Sequence, residues 1–234
     1  MVKDFLFADK KIYDSVHGFI PFDEYEKELI DSLPFQRLHY IHQLGIAYLV
    51  YPGATHTRFE HSLGTMALAT LIFEKICKSI RTDVFHFVPR KGSSDYLYWR
   101  RVLRMAALCH DLGHLPFSHV AEKELLGVLG HELWTMKIID SPYLKSVWDK
   151  LRSAPAYLEE LVERDIVEDI KKIAIARNRC LRKMTHFASL CPGREGSLAA
   201  LLSAAITSIS LTARKLSTLS NIFLEKVAFM YLRR

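Results

Sequence analysis

The chain has 234 residues, of which half are hydrophobic, and it carries a formal net charge of +6. This is enough for one sizeable core with at most a small appendage. It has no run of about eighteen apolar residues and no apolar signal core at its start, so we expect neither a membrane span nor secretion. The cysteines show no CxxC spacing, which predicts buried, reduced thiols in a cytoplasmic protein.

The basic excess is confined to the C-terminal quarter of the chain. Residues 176–234 hold ten Lys or Arg and two acids, a net charge of +8, whereas residues 1–175 carry a net charge of −2. A basic segment can bind nucleic acid or another anionic surface. Nucleic acid is therefore one candidate partner, through this tail.

The first predicted elements are a β-hairpin and two helices. Residues 10–23 alternate in polarity and turn at Gly18, which predicts the hairpin. A helix is predicted over 23–33, and its charged residues are expected to face solvent: Glu24, Glu26, Lys27 and Glu28. Pro34 is expected to open a second helix, which Gly45 ends.

The chain from there to residue 175 is predicted to be helical, apart from an extended stretch at 46–56 and a loop at 81–97. A central helix is expected to run from residue 98 to the pair His110–Asp111. The other helical segments are 58–80, 116–129, 130–139, 142–152 and 155–175. For the helix over 58–80 the expected apolar face is Leu63, Met66, Leu71, Phe73 and Ile76. The pattern predicts an all-α fold with one small hairpin.

The central helix leads into a cluster of ionisable residues: His110, Asp111, His114 and His119 lie within ten positions. An adjacent His–Asp pair offers one nitrogen and one oxygen ligand, which suits Mg, Mn, Fe or Zn. A His–Asp pair alone more often means a hydrogen-bonded helix end. The apolar surroundings favour a metal here, because burying such groups without a metal or partners costs several kcal/mol each.

Two further pairs are spaced three apart on predicted helices and therefore share a face. Arg58 and His61 begin the helix over 58–80, so that one can contact an anion while the other contacts a metal. His119 and Glu122 form the second pair. No role in the site is predicted for His17, His39 and His42, which are expected in a turn or at the surface.

Several stretches together resemble the HD-superfamily phosphohydrolases, in particular the deoxynucleoside triphosphate triphosphohydrolase (SAM-and-HD-domain-like) branch. They are YDSVHGFIPF, DSLPFQRLHYIHQLG, YPGATHTRFEHSLG, LCHDLGHLPFSH and GHE, in family order over residues 10–140. The resemblance implies an HD-domain helical bundle over residues 1–175. It also implies hydrolysis of a dNTP, such as dGTP, to deoxynucleoside and triphosphate, and assembly into a homo-oligomer.

The resemblance also implies roles for individual residues. His61, His110 and Asp111 match metal ligands, and Arg58 matches a phosphate-contacting arginine. Three histidines match residues that line the triphosphate and handle protons: His114, His119 and His131. Of His119 and His131, the resemblance favours His119 as the acid, because Glu122 stands where the family orients a histidine. Gln43 and Leu44 match positions near the deoxyribose and base.

The match fades near residue 175. The family carries a fourth metal ligand, an Asp, about a hundred residues after the His–Asp pair, and this chain has no aspartate from 170 onward. We interpret 176–234 as non-family sequence, either the product of a shifted reading frame or a basic appendage. Asp140, Asp165 and Asp169 are substitutes in principle, and the activity of the chain is expected to be impaired.

Two other functions remain open from the sequence. One is an HD phosphatase or phosphodiesterase with a different substrate. The other is an inactive domain that binds nucleotide or nucleic acid, which the absent fourth ligand and the basic tail favour.

Overall fold

The computed structural model describes residues 10–79, 88–117, 125–126, 130–153 and 165–175. The chain begins with the expected hairpin, in which β1 (Lys10–Asp14) pairs antiparallel with β2 (Gly18–Phe22). Asp14 accepts hydrogen bonds from the backbone N–H groups of Val16 and His17, which closes the turn. The hairpin and the helical remainder confirm the predicted fold class.

Helix α1 (Glu24–Ile30) begins at a capping box, in which Asp23 and Glu26 each accept a backbone N–H of the other. The prediction that Glu26 faces solvent is wrong, because its side chain is buried. Arg104 donates to both of its carboxylate oxygens, from Nε at 2.5 Å and from a terminal nitrogen at 2.7 Å. Periodicity alone assigns a charged residue to the solvent-exposed face of a helix. The partner that allows Glu26 to be buried lies 78 residues further along the chain, so the local pattern does not reveal it.

The second predicted helix is shorter than expected. It is regular over α2 (Leu33–Gln36), continues as a 3-10 turn over Arg37–Tyr40, and has ended by Ile41, whose backbone is extended. Segment 41–43 then runs beside the approach to the next helix: His42 pairs with Thr57, and the N–H of Gln43 donates to the carbonyl of His56 at 3.0 Å. The expected extended stretch contains a second 3-10 turn, Ala47–Leu49.

The core is built on two long helices, α3 (Arg58–Ser79) and α4 (Ser94–Cys109), which pack along each other. Four residues of the expected apolar face of α3 are buried, but Leu71 is exposed. Helix α4 starts four residues earlier than predicted, because Ser93 caps it by accepting the N–H of Tyr96. Its last two turns are buried on all sides, so its end lies inside the protein.

Three shorter helices follow: α5 (Gly130–Ile139), α6 (Pro142–Arg152) and α7 (Ile166–Ile175). Helix α7 packs on α4 and on α5, whereas α6 packs on α1, α2 and α5. Helices α5 and α6 match the predicted bounds. Most of the helix predicted over 116–129, the start of the one over 155–175, and the whole tail 176–234 lie outside the described residues. Among the described helices, none combines the length and apolar character needed to cross a bilayer.

Candidate metal centre

The first turn of α3 and the end of α4 bring three possible ligands together: His61, His110 and Asp111. The two Nε2 atoms of His61 and His110 lie 3.3 Å apart. The carboxylate oxygens of Asp111 lie 3.3 Å from Nε2 of His110 and 3.6 Å from Nε2 of His61. All three side chains are at most 5% exposed.

These separations are within about 0.1 Å of those expected around a divalent cation. Two donor atoms that each bond a cation at about 2.1 Å are held about 3.0–3.5 Å apart by tetrahedral or octahedral geometry. The orientation of His110 fits as well, because its Nδ1 lies 2.7 Å from the carbonyl of Ala107. A carbonyl only accepts, so Nδ1 is the donor, and in the neutral tautomer of His110 the lone pair of Nε2 would point to the site.

Arg58 shapes the electrostatics of the cluster. Its guanidinium donates to Asp111 at 2.5 Å, and both side chains are almost completely buried. Burial alone would raise the pKa of Asp111, but the neighbouring His110, Arg58 and His114 outweigh it and hold that pKa well below its ordinary value. Asp111 is therefore a carboxylate at neutral pH, which is the form that binds a cation.

A second group of possible ligands shares Asp111 and adds His114 and His131. Nε2 of His114 lies 3.3 Å from Asp111, and the two imidazole rings stack with centroids 3.8 Å apart. Asp111 is the sole carboxylate of both groups. One carboxylate that already faces the guanidinium of Arg58 is a poor match for two divalent cations, so we expect a single cation in the first group.

The turn that carries Asp111 and His114 fits closely against α5. The N–H of Gly113 donates to the hydroxyl of Thr135 at 3.0 Å. A Cβ on Gly113 would lie 2.0 Å from the carbonyl oxygen of His131, so this contact requires glycine. Neither the close approach at Gly113 nor the role of Thr135 could be read from the sequence, because both depend on a contact between distant segments.

The other residues predicted for the site belong to neither ligand group among the described residues. Gln43 and Leu44 are half-buried and follow the strand-like contact beside Arg58. His119 and Glu122 lie outside the described residues. None of the three candidate substitutes for a fourth ligand belongs to either cluster found in the described part of the chain. Asp140, Asp165 and Asp169 instead contact Lys171, Arg152 and Lys172, respectively.

A cavity of about 400 Å³ lies beside the cluster, between the hairpin turn and the first half of α3, and His61 forms part of its wall. His17, expected to be only a turn residue, also lines it. The imidazole of His17 packs on Gly64, where a Cβ would lie 2.8 Å from Nε2. The cavity provides space for a small molecule next to the candidate ligands.

Comparison with known proteins agrees with this geometry. Relatives include an uncharacterized protein of Methanocaldococcus jannaschii, 50% identical over 113 residues, which are 48% of this chain and 21% of that protein. Deoxynucleoside triphosphate triphosphohydrolase SAMHD1 of Bos taurus is 40% identical over 129 residues, 54% of this chain and 20% of that enzyme. The human enzyme of the same name is also 40% identical over 129 residues, with 54% and 19% covered.

The matches thus span about a fifth of the length of these relatives. The resemblance to the deoxynucleoside triphosphate triphosphohydrolase branch of the HD superfamily is confirmed over the matched region. The model of the HD domain family matches residues 58–178, which include His61, His110, Asp111, His114 and His131. The chain therefore belongs to the HD domain family.

Proposed function

We propose that the chain is a metal-dependent phosphohydrolase that cleaves a dNTP into a deoxynucleoside and inorganic triphosphate. The observation that carries the proposal is the convergence of His61, His110 and Asp111 on one buried point. When bound there, a divalent cation, with Mg, Mn or Fe preferred and Zn as the alternative, would supply Lewis acidity toward a phosphoryl oxygen and would lower the pKa of a bound water.

The remaining side chains bind the substrate and move protons. Arg58, which matches a phosphate-contacting arginine of the family, is assigned the same role here. His114 and His131 form a stacked imidazole pair beside Asp111, suited to anionic oxygens and to proton exchange. Water attacks the α-phosphorus, the bond to the 5′ oxygen breaks, and a histidine gives that oxygen a proton. From the resemblance we assign this proton to His119, since Glu122 matches the position where the family orients a histidine, with His131 as the alternative donor.

The proposal that the substrate is a dNTP rests on the names of the relatives rather than on a contact between protein and nucleotide. Two relatives at 40% identity bear the name deoxynucleoside triphosphate triphosphohydrolase. Gln43 and Leu44, beside the start of α3, are proposed to contact the deoxyribose and base. A cytoplasmic location and assembly into a homo-oligomer accompany this proposal as predictions.

A substrate panel with product identification tests the proposal. The purified chain is incubated with Mn²⁺ and, in turn, each dNTP, a ribonucleotide and a phosphodiester, and the products are separated by ion-exchange chromatography. Release of triphosphate from a dNTP, abolished in His110→Ala and retained in His39→Ala, is the expected result. His39 is an exposed histidine outside both ligand groups and outside the cavity wall, and it serves as the control. Single phosphate or phosphodiester cleavage would instead indicate an HD enzyme with another substrate.

A non-enzymatic binding domain is the second candidate, favoured by the net charge of +8 in residues 176–234. Such a domain would bind single-stranded nucleic acid with an affinity that falls steeply with salt. If the wild-type chain binds metal but releases no product from any compound, and salt-sensitive nucleic-acid binding is lost on deletion of 176–234, this candidate is preferred.

A further inference from the structure

Arg37 connects the N-terminal segment to the turn that carries the candidate site. It lies in the 3-10 turn after α2, between the buried residues Phe35 and Leu38. One terminal nitrogen of its guanidinium donates to the carbonyl of His114 at 2.8 Å, and the other donates to the carbonyl of Leu112. These two carbonyls flank Gly113.

The end of α4 explains why these carbonyls need a donor from elsewhere. The last carbonyls of a helix and those just beyond it have no following helical N–H to accept. Here the N–H of Leu112 donates to the carbonyl of Cys109 at 3.1 Å, and the N–H of His114 donates to the carbonyl of Asp111 at 3.2 Å. The carbonyls of Leu112 and His114 accept their hydrogen bonds from Arg37 instead.

The guanidinium fork is well matched to this task. Its planar, parallel N–H groups bond two acceptors at a fixed spacing, which an ammonium does not reproduce. Burial lowers the pKa of Arg37, which means that holding its charge here costs free energy. Thr135 and the close contact at Gly113 hold the opposite side of the same turn. The turn is thus fixed between Arg37 and α5.

We propose that Arg37 is a positioning residue for the metal centre. It fixes the backbone of residues 110–114 and thereby aims Asp111 and His114 without touching substrate or cation. The proposal deepens the proposed function, since it assumes that this turn carries a cation ligand.

Two measurements on the full chain test this role, in Arg37→Met and Arg37→Lys. The first is hydrogen exchange of the Leu112 and His114 amides, which report directly on the turn. The second is Mn²⁺ affinity by equilibrium dialysis. Arg100→Met is the matched control, because Arg100 is also half-buried but holds Glu74 of α3, away from the turn.

We expect both amides to exchange faster in Arg37→Met while amides in the middle of α3 keep their wild-type rates. Mn²⁺ affinity should fall about 10-fold or more, as it does when groups that orient metal ligands are removed. Arg37→Lys should lie between wild type and Arg37→Met, and Arg100→Met should match wild type in both measurements.

Wild-type exchange at Leu112 and His114 in Arg37→Met would overturn the positioning role. So would an increase of exchange that is uniform across the chain, because it indicates a purely structural role. If the wild-type chain itself binds no Mn²⁺, the proposed function fails instead, and the exchange rates alone decide the role of Arg37.

Discussion

The guanidinium of Arg58 lies 2.5 Å from the carboxylate of Asp111, and neither side chain is more than 1% exposed. The first residue of α3 thereby neutralises the carboxylate that lies just beyond the end of α4. A buried carboxylate without such a partner would be strongly destabilising. The pair therefore links the stability of the fold to the charge of the candidate metal centre.

Replacement of Arg58 by Met should destabilise the chain, because it leaves the Asp111 carboxylate buried without its neighbour. Breaking a buried ion pair by removing one partner costs about 3–5 kcal/mol. Chemical denaturation in EDTA measures the loss, and adding Mn²⁺ should restore more stability to the variant than it adds to wild type. Arg152→Met, which removes an exposed partner of Asp165, should cost less than about 1 kcal/mol. Equal losses in the two variants would contradict this account.

The pair of Glu26 and Arg104 should make stability depend on pH. Desolvation would raise the pKa of Glu26, but Arg104 and Arg101 outweigh it, and the net pKa is lowered from 4.5. A lowered pKa gives stability that is complete above the unfolded pKa and is lost as the pH falls through the folded pKa. Urea unfolding from pH 7 to pH 3 should therefore show a flatter acid dependence in Glu26→Gln than in wild type.

Glu28→Gln is the control for that series, since Glu28 forms an exposed pair with Lys150. Its stability should follow the wild-type pH profile closely. A Glu26→Gln profile parallel to that of wild type would show that the buried pair does not titrate with folding.

Gly113→Ala should force the site turn away from α5. The added Cβ would lie 2.0 Å from the carbonyl oxygen of His131 and 2.5 Å from the N–H nitrogen of Thr135, and backbone atoms of a helix do not yield easily. Overpacking of this kind costs about 1–3 kcal/mol. Gly53→Ala is the matched control, because nothing lies within 4 Å of its added Cβ. A thermal midpoint of Gly113→Ala equal to that of Gly53→Ala would rule out the close contact.

The buried cysteines should resist thiol reagents in the native protein. Burial raises the pKa of Cys77 to about 12, and it raises the pKa of Cys109 further. The reactive thiolate is thus scarce at pH 8. Peptide mapping after treatment with iodoacetamide at pH 8 should find both residues labelled only after denaturation. Rapid native labelling of Cys109 would mean that α4 is not buried as described.

The sequence was most informative where local pattern decides structure. The hairpin, the bounds of α6 and the approach of α4 to His110 and Asp111 all followed from periodicity and turn residues. The grouping of His61 with His110 and Asp111 followed from resemblance, and the structure brings these residues together. Their roles as ligands stay predictions.

The features that were missed depend on contacts between distant segments. Glu26 was expected at the surface because its periodicity is that of a solvated face, and the partner Arg104 was unknown. Arg37 looked like an ordinary charged residue, although its acceptors lie 75 and 77 residues along the chain. Neither spacing nor composition encodes such pairs.

Metal content tests the central claim, a single divalent cation held by His61, His110 and Asp111, most directly. Each variant is equilibrated with Mn²⁺, and the bound ion is counted by mass spectrometry after gel filtration. We predict about one ion per wild-type chain, a loss of it in His61→Ala, His110→Ala and Asp111→Asn, and its retention in His39→Ala. A wild-type chain without bound ion, or full occupancy in His61→Ala, would contradict the account.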